Sequence, residues 1–210
     1  MEREYGYTEN MNTSKAISII TDINVGKLAK QILRNEPKII KKYPAKSWDY
    51  SIDFDGETGL GYNSLTSRSC HFNLLNWWGT GEVKKWIRKG YEKYSNIEGT
   101  PLYVQCWANV MRCGEQIKSH RHSEDFSIGG ERFLCGHLSV QVDGSTSTYY
   151  DGTPLLNENG MITFFPGYVS HWTNRYEGHS ERITVAFDIY NKEFFEYDME
   201  EGAKKHWIRI

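Results

Sequence analysis

Gly160-Met161-Ile162-Thr163-Phe164-Phe165-Pro166-Gly167-Tyr168-Val169-Ser170-His171 reads as a short apolar strand that stops at a Pro-Gly turn and then presents a histidine. An Asn159-Gly160 turn signal opens it. Working outward, residues 102–111, 132–142, 145–150 and 182–190 have the same β-rich texture, punctuated at Cys113-Gly114, Asp143-Gly144 and Asp151-Gly152. Helical periodicity is confined to the part of the chain that precedes Pro101. Val25, Leu28, Ala29, Ile32 and Leu33 recur at three and four within 22–34, with Thr21 or Asp22 as the expected cap. Val83, Trp86, Ile87, Tyr91 and Tyr94 form a second stripe after Thr80, while Lys84, Lys85, Arg88, Lys89 and Lys93 fall on other faces and read as a solvated surface. Helices first and short strands afterwards predict a mainly β fold, an antiparallel barrel or sandwich with helices packed outside it.

The 210 residues suit a single domain: 1–100 as a helical or irregular support region, 101–192 as the β core and 193–210 as a tail. Aromatic residues make up 14% of the chain, enough to build a packed core rather than a disordered chain. A formal net charge of -2 gives none of the basic excess of a general nucleic-acid binder, so no nucleic-acid partner is expected. No apolar run is long enough for a membrane span, and the first residues lack the apolar segment of a secretory signal. The expected compartment is therefore the cytoplasm, without membrane association. Cys70, Cys106, Cys113 and Cys135 form no CxxC pair and read as reduced thiols.

Chemistry concentrates in the histidines. His120 and His122 lie two apart in Gly114-Glu115-Gln116-Ile117-Lys118-Ser119-His120-Arg121-His122, so in an extended segment both imidazoles point to one face. An isolated HxH pair is a weak signal, but His171, about fifty residues later, offers a third ligand from a distant strand. Two ligands on one strand and one on another can hold a metal facially and leave positions open. Eleven residues further on, Arg182 and Thr184 share a strand face, where a planar guanidinium and a hydroxyl can grip one carboxylate.

Together, Gly114, His120-Arg121-His122, Gly160 with Phe165-Pro166, His171 and Arg182-Ile183-Thr184 resemble the iron(II)/2-oxoglutarate-dependent oxygenases, especially the oxygenases of marine bacteria and phages distantly similar to prolyl 4-hydroxylases. The resemblance spans roughly the last half of the chain. It implies a double-stranded β-helix (jelly-roll) core, with His120, His122 and His171 holding Fe(II) and Arg182 and Thr184 binding the distal carboxylate of 2-oxoglutarate. It also places Asn109 in the cosubstrate pocket. The implied reaction consumes O2 and couples oxidative decarboxylation of 2-oxoglutarate to hydroxylation of a small-molecule or peptidyl substrate, a protein side chain among the candidates.

This chain departs from the family in two places. The commoner ligand pattern is HxD, and His122 stands in place of the aspartate, leaving a neutral ligand set; Glu124 and Asp125 are the nearest alternative carboxylates. The stretch 134–140 lacks the tyrosine that relatives often use toward the cosubstrate, so that His137 or Ser139 would have to compensate. A cupin-type three-histidine metal protein, whether a dioxygenase, an isomerase or a sugar-binding module, fits the histidine spacing. It lacks its usual glutamate after HxH and leaves Arg182 and Thr184 unexplained. A non-enzymatic jelly-roll interaction protein is a third reading, in which the histidines need not converge.

Overall fold

The computed structural model describes residues 16–45, 59–123, 125, 128–130, 132–198 and 204–210. Among the described residues, nine strands form two antiparallel sheets. The larger contains β1 (Ile17–Ile20), β2 (Leu102–Met111), β3 (Phe133–Gln141), β6 (Met161–Pro166), β8 (Arg182–Asn191) and β9 (Ile208–Arg209), in the order β1-β6-β3-β8-β2-β9. The smaller has β4 (Ser147–Tyr150) flanked by β5 (Thr153–Leu156) and β7 (His171–Thr173). Helices α1 (Val25–Lys42) and α2 (Gly81–Ser95) precede the main strands, and α3 (Lys192–Asp198) follows β8 directly. The mainly β, antiparallel expectation therefore holds. Among the described residues, no helix is long and apolar enough to cross a membrane.

Strand alternation divides the large sheet into two chemically distinct faces. On one, Val104, Ala108, Leu134, Leu138, Ile162, Phe164, Val185, Phe187 and Ile189 join Leu28, Ile32, Val83, Ile87 and Tyr91 of α1 and α2 in one apolar core. That cover explains why β3 and β8 are buried almost end to end. Helix α2 comes especially close: a Cβ on Gly90 would stand 1.9 Å from Phe164 Cζ, a space only glycine fits.

Helix α1 differs from its sequence reading at both ends. Its N-cap is Asn24, whose side chain accepts the Lys27 N–H at 3.0 Å. Thr21 instead bonds the Gly160 carbonyl, and Asp22 accepts the Trp86 indole N–H. The helix continues past Arg34 and through Pro37 to Lys42. Proline removes one backbone donor there, and burial of Glu36 and Ile39 on either side keeps the following turn helical.

The opposite face of the large sheet carries the polar residues in register. Asn109 lies opposite Thr184, and Thr184 opposite Ser139. One step along come Trp107, Ala186, His137 and Thr163, and then Gln105, Asp188, Cys135 and Phe165. Each row crosses β2, β8 and β3, and the last two reach β6, so these side chains line one surface.

Candidate metal and carboxylate site

His120 and His171 are joined by an isolated antiparallel bridge with both backbone hydrogen bonds made, His120 N–H to His171 O at 3.2 Å and His171 N–H to His120 O at 3.0 Å. The His122 N–H continues the pairing to Gly167 O, and Thr173 N–H donates to Ile117 O. Residues 117–122 thus run alongside 167–173, with β4 on the other side of β7. Alternation then turns His120 and His122 to the same side, facing His171.

One ligand atom from each of the three lies within 4.8 Å of the others. Three atoms that close share a point no more than about 2.8 Å from each, a few tenths of an ångström outside usual metal–imidazole lengths. In every ring Nδ1 already has an oxygen partner: Lys118 O at 2.9 Å for His120, Val169 O at 3.2 Å for His171, and Asp188 Oδ1 at 2.6 Å for His122. With Nδ1–H donated outward, Nε2 is the free lone pair on all three rings.

Their electrostatics differ. Burial, reinforced by the charge of neighbouring His122, pushes His120 down to about 4. Burial and the other two imidazoles push His171 well below its ordinary value. Burial opposes protonation of His122 as well, but the Asp188 carboxylate, by its charge and its hydrogen bond, outweighs that and holds His122 above its ordinary value. Of the two alternative carboxylates, Asp125 is exposed and outside the converging set, and Glu124 lies outside the described residues.

The same pocket is lined by all three histidines and by Trp107, Asn109, His137, Thr148, Arg182 and Thr184. Arg182 is 2% exposed, and its Nε has no partner among the described residues. Its nearest polar contacts are weak, Thr148 Oγ1 at 3.5 Å and Met111 Sδ at 4.0 Å, and no carboxylate of the described residues pairs with it. Burial lowers its pKa to about 10, which leaves it charged at neutral pH. Beside it Thr66 Oγ1 donates to Asn109 Oδ1 at 2.6 Å, and Asn109 Nδ2 donates to Thr184 Oγ1 at 3.4 Å. Thr184 is the acceptor in that contact, so its own O–H proton remains available to a ligand oxygen.

Sequence reading missed three participants. Tyr150, buried on β4, donates its hydroxyl to His137 Nδ1 at 3.3 Å; His137 Nε2 then faces Asn157 Oδ1 at 3.4 Å, which also accepts from Thr148. Tyr150 sits close enough for its charge state to couple with Arg182. Thr66 enters from a 3-10 turn in the part of the chain that carried no motif. Asp188 is the third: six residues beyond Arg182, it has the parity of the pocket-facing residues on β8.

No protein-family profile and no curated protein sequence matches the chain. Solved structures do. A viral collagen prolyl hydroxylase from Paramecium Bursaria Chlorella virus-1, in complex with 2OG, superposes at a TM-score of 0.51 and 12% identity over 84% of this chain and 96% of its own. A prolyl-4-hydroxylase of Pseudomonas putida gives 0.50 and 13% over 86% and 94%. The non-heme alpha ketoglutarate dependent carbocyclase SnoK from nogalamycin biosynthesis gives 0.53 and 9% over 95% of each chain. The chain therefore has the fold of the non-haem, 2-oxoglutarate-dependent oxygenases.

Proposed function

We propose that this protein is a non-haem iron(II) dioxygenase that couples oxidative decarboxylation of 2-oxoglutarate to hydroxylation of an organic substrate. One observation carries the reading: a buried, charged and unpaired Arg182 guanidinium shares a pocket with three imidazoles whose free nitrogens converge. A buried cation without a counter-ion is costly, and a dicarboxylate entering the pocket relieves that cost.

The residues present fit a divalent metal. His120, His122 and His171 would hold it through Nε2, and the neutral state favoured at His120 and His171 leaves lone pairs ready for coordination. Bound there, iron(II) supplies the activation of dioxygen that the 2-oxo acid makes possible. The chain's own part is recognition and placement. Arg182 holds the distal carboxylate through charge-assisted hydrogen bonds, Thr184 donates its hydroxyl to the same group, and Asn109 with Thr66 fixes that hydroxyl. Gripping one end sets the reach of the other toward the histidines. Trp107, Ile117, Phe165 and Trp172 wall the pocket with apolar surface that keeps bulk water from the reacting atoms.

The decisive assay follows succinate produced from 2-oxoglutarate with purified protein, iron(II) and oxygen, without prime substrate and then with peptide and small-molecule candidates. Succinate that requires iron(II), oxygen and His171 is the expected result. A protein that binds metal yet neither binds 2-oxoglutarate nor forms succinate with any candidate overturns the reading in favour of a cupin-like three-histidine protein, which the neutral ligand set also suits.

A further inference from the structure

Asp188 sits on the pocket face of β8 with its side chain 16% exposed, and His122 is the only group capable of positive charge that pairs with it among the described residues. Its other neighbours are neutral. The Cys135 thiol hydrogen-bonds it, its register partner Gln105 donates its amide to Ser69 O instead, and the Cys106 thiol is fully buried nearby. All three candidate ligands donate Nδ1–H to an oxygen, but two of those oxygens are backbone carbonyls and only that of Asp188 carries charge.

We infer that Asp188 is a positioning residue for metal binding: its carboxylate accepts the His122 Nδ1–H, turns Nε2 toward His120 and His171, and supplies through that bond the negative charge that three histidines lack. The inference rests on the reading of His120, His122 and His171 as a metal centre. A carboxylate behind a ligating imidazole fixes the tautomer and makes the ligand nitrogen more basic. It also accounts for a partly buried carboxylate that would otherwise lack a cation. With Nδ1 and Oδ1 only 2.6 Å apart, the two atoms share a proton, and no ion fits between them. Charge placed directly on the metal by an HxD aspartate would here arrive one shell further out. At the other end of the pocket Arg182 shows the opposite deficit, so the site is organised to receive a cation beside Asp188 and an anion beside Arg182.

Cobalt(II) binding, followed by its visible absorption without turnover, tests this in wild type, Asp188→Asn, Asp188→Ala and His122→Ala. Asp188→Asn keeps the shape and an acceptor oxygen but loses the charge; it should weaken cobalt binding by about tenfold, and Asp188→Ala by about 10–100-fold. Cobalt affinity within about twofold of wild type in both variants, with His122→Ala impaired, overturns the role of Asp188 and leaves the metal centre standing. Unchanged binding by His122→Ala overturns the metal centre and the inference together. Nitrogen-15 spectra of zinc-loaded wild-type protein decide the matter even if the variants fail to fold. A protonated Nδ1 and metal-bound Nε2 on His122 support the assignment, and the reverse tautomer overturns it.

Discussion

His120 and His171 exchange both backbone hydrogen bonds across their bridge, and their ring centroids lie 4.2 Å apart. Two candidate ligands that adjoin through main-chain pairing keep their spacing whether or not an ion is present, so little reorganisation would accompany binding. His120→Ala and His171→Ala should each weaken cobalt(II) binding by more than the about 10–100-fold typical of outer-shell changes. Isothermal titration checks this, and cobalt affinity retained in either variant counts against convergence.

Arg182→Ala should separate the two halves of the pocket. Losing a desolvated, charge-assisted contact costs about 2–5 kcal/mol, so 2-oxoglutarate affinity should fall by at least about thirtyfold while cobalt affinity changes little. Arg182→Lys should recover only part of the loss, because an ammonium lacks the planar fork. Titration of 2-oxoglutarate at saturating metal measures both, and equal affinity in wild type and Arg182→Ala removes Arg182 from the site.

The parts of the site visible in the sequence are those that local alternation determines. His120 and His122 share a face because they are two apart, and so do Arg182 and Thr184. The same parity extends to Asp188, but its partner His122 is 66 residues away and only the three-dimensional placement of 117–122 brings them together. Tyr150 reaches His137, a pocket residue, from β4, which pairs with β7, a strand of three residues with no pattern of its own. Thr66 comes from a 3-10 turn, and β1 and β9 are runs of four and two residues, shorter than any periodicity can announce. The stretch around Phe54, equally uninterpretable in sequence, lies outside the described residues.

Gly90→Ala tests how tightly α2 is seated on the sheet. In a solvated helix the change favours folding by about 1 kcal/mol. Here the new methyl group would meet Phe164, which is fully buried and packed against Phe187 at 5.4 Å between ring centroids. Overpacking of about 1–3 kcal/mol should outweigh the propensity gain and destabilise the protein. Adding Phe164→Leu should make the glycine substitution less costly. Urea unfolding of the four proteins in the double-mutant cycle reads the coupling, and additive effects would mean that helix and ring are not in contact.

The last prediction concerns acid. His137 is buried, and that burial, with the nearby charge of Arg182, pushes it down to about 4 despite an opposing hydrogen bond to Asn157. The unfolded chain takes up this proton near pH 6.5, the folded chain only near 4, so over that interval the unfolded state binds more protons. Stability is therefore greatest above about pH 6.5 and falls as the pH drops toward 4. From pH 7 to pH 5 this one group accounts for about 2 kcal/mol, an order-of-magnitude value. His137→Gln removes the titration and leaves a polar side chain beside Tyr150. Urea unfolding of chelator-treated protein should show wild type losing about 2 kcal/mol more than the variant over that range. Contributions from His120 and His122 cancel in the comparison, and that of His171 largely does, since the charge of His137 is the weakest of the influences on it. Identical pH dependence in the two would show that His137 is protonated in the folded state at pH 5 and that the Tyr150–His137–Asn157 chain is not the neutral network its geometry describes.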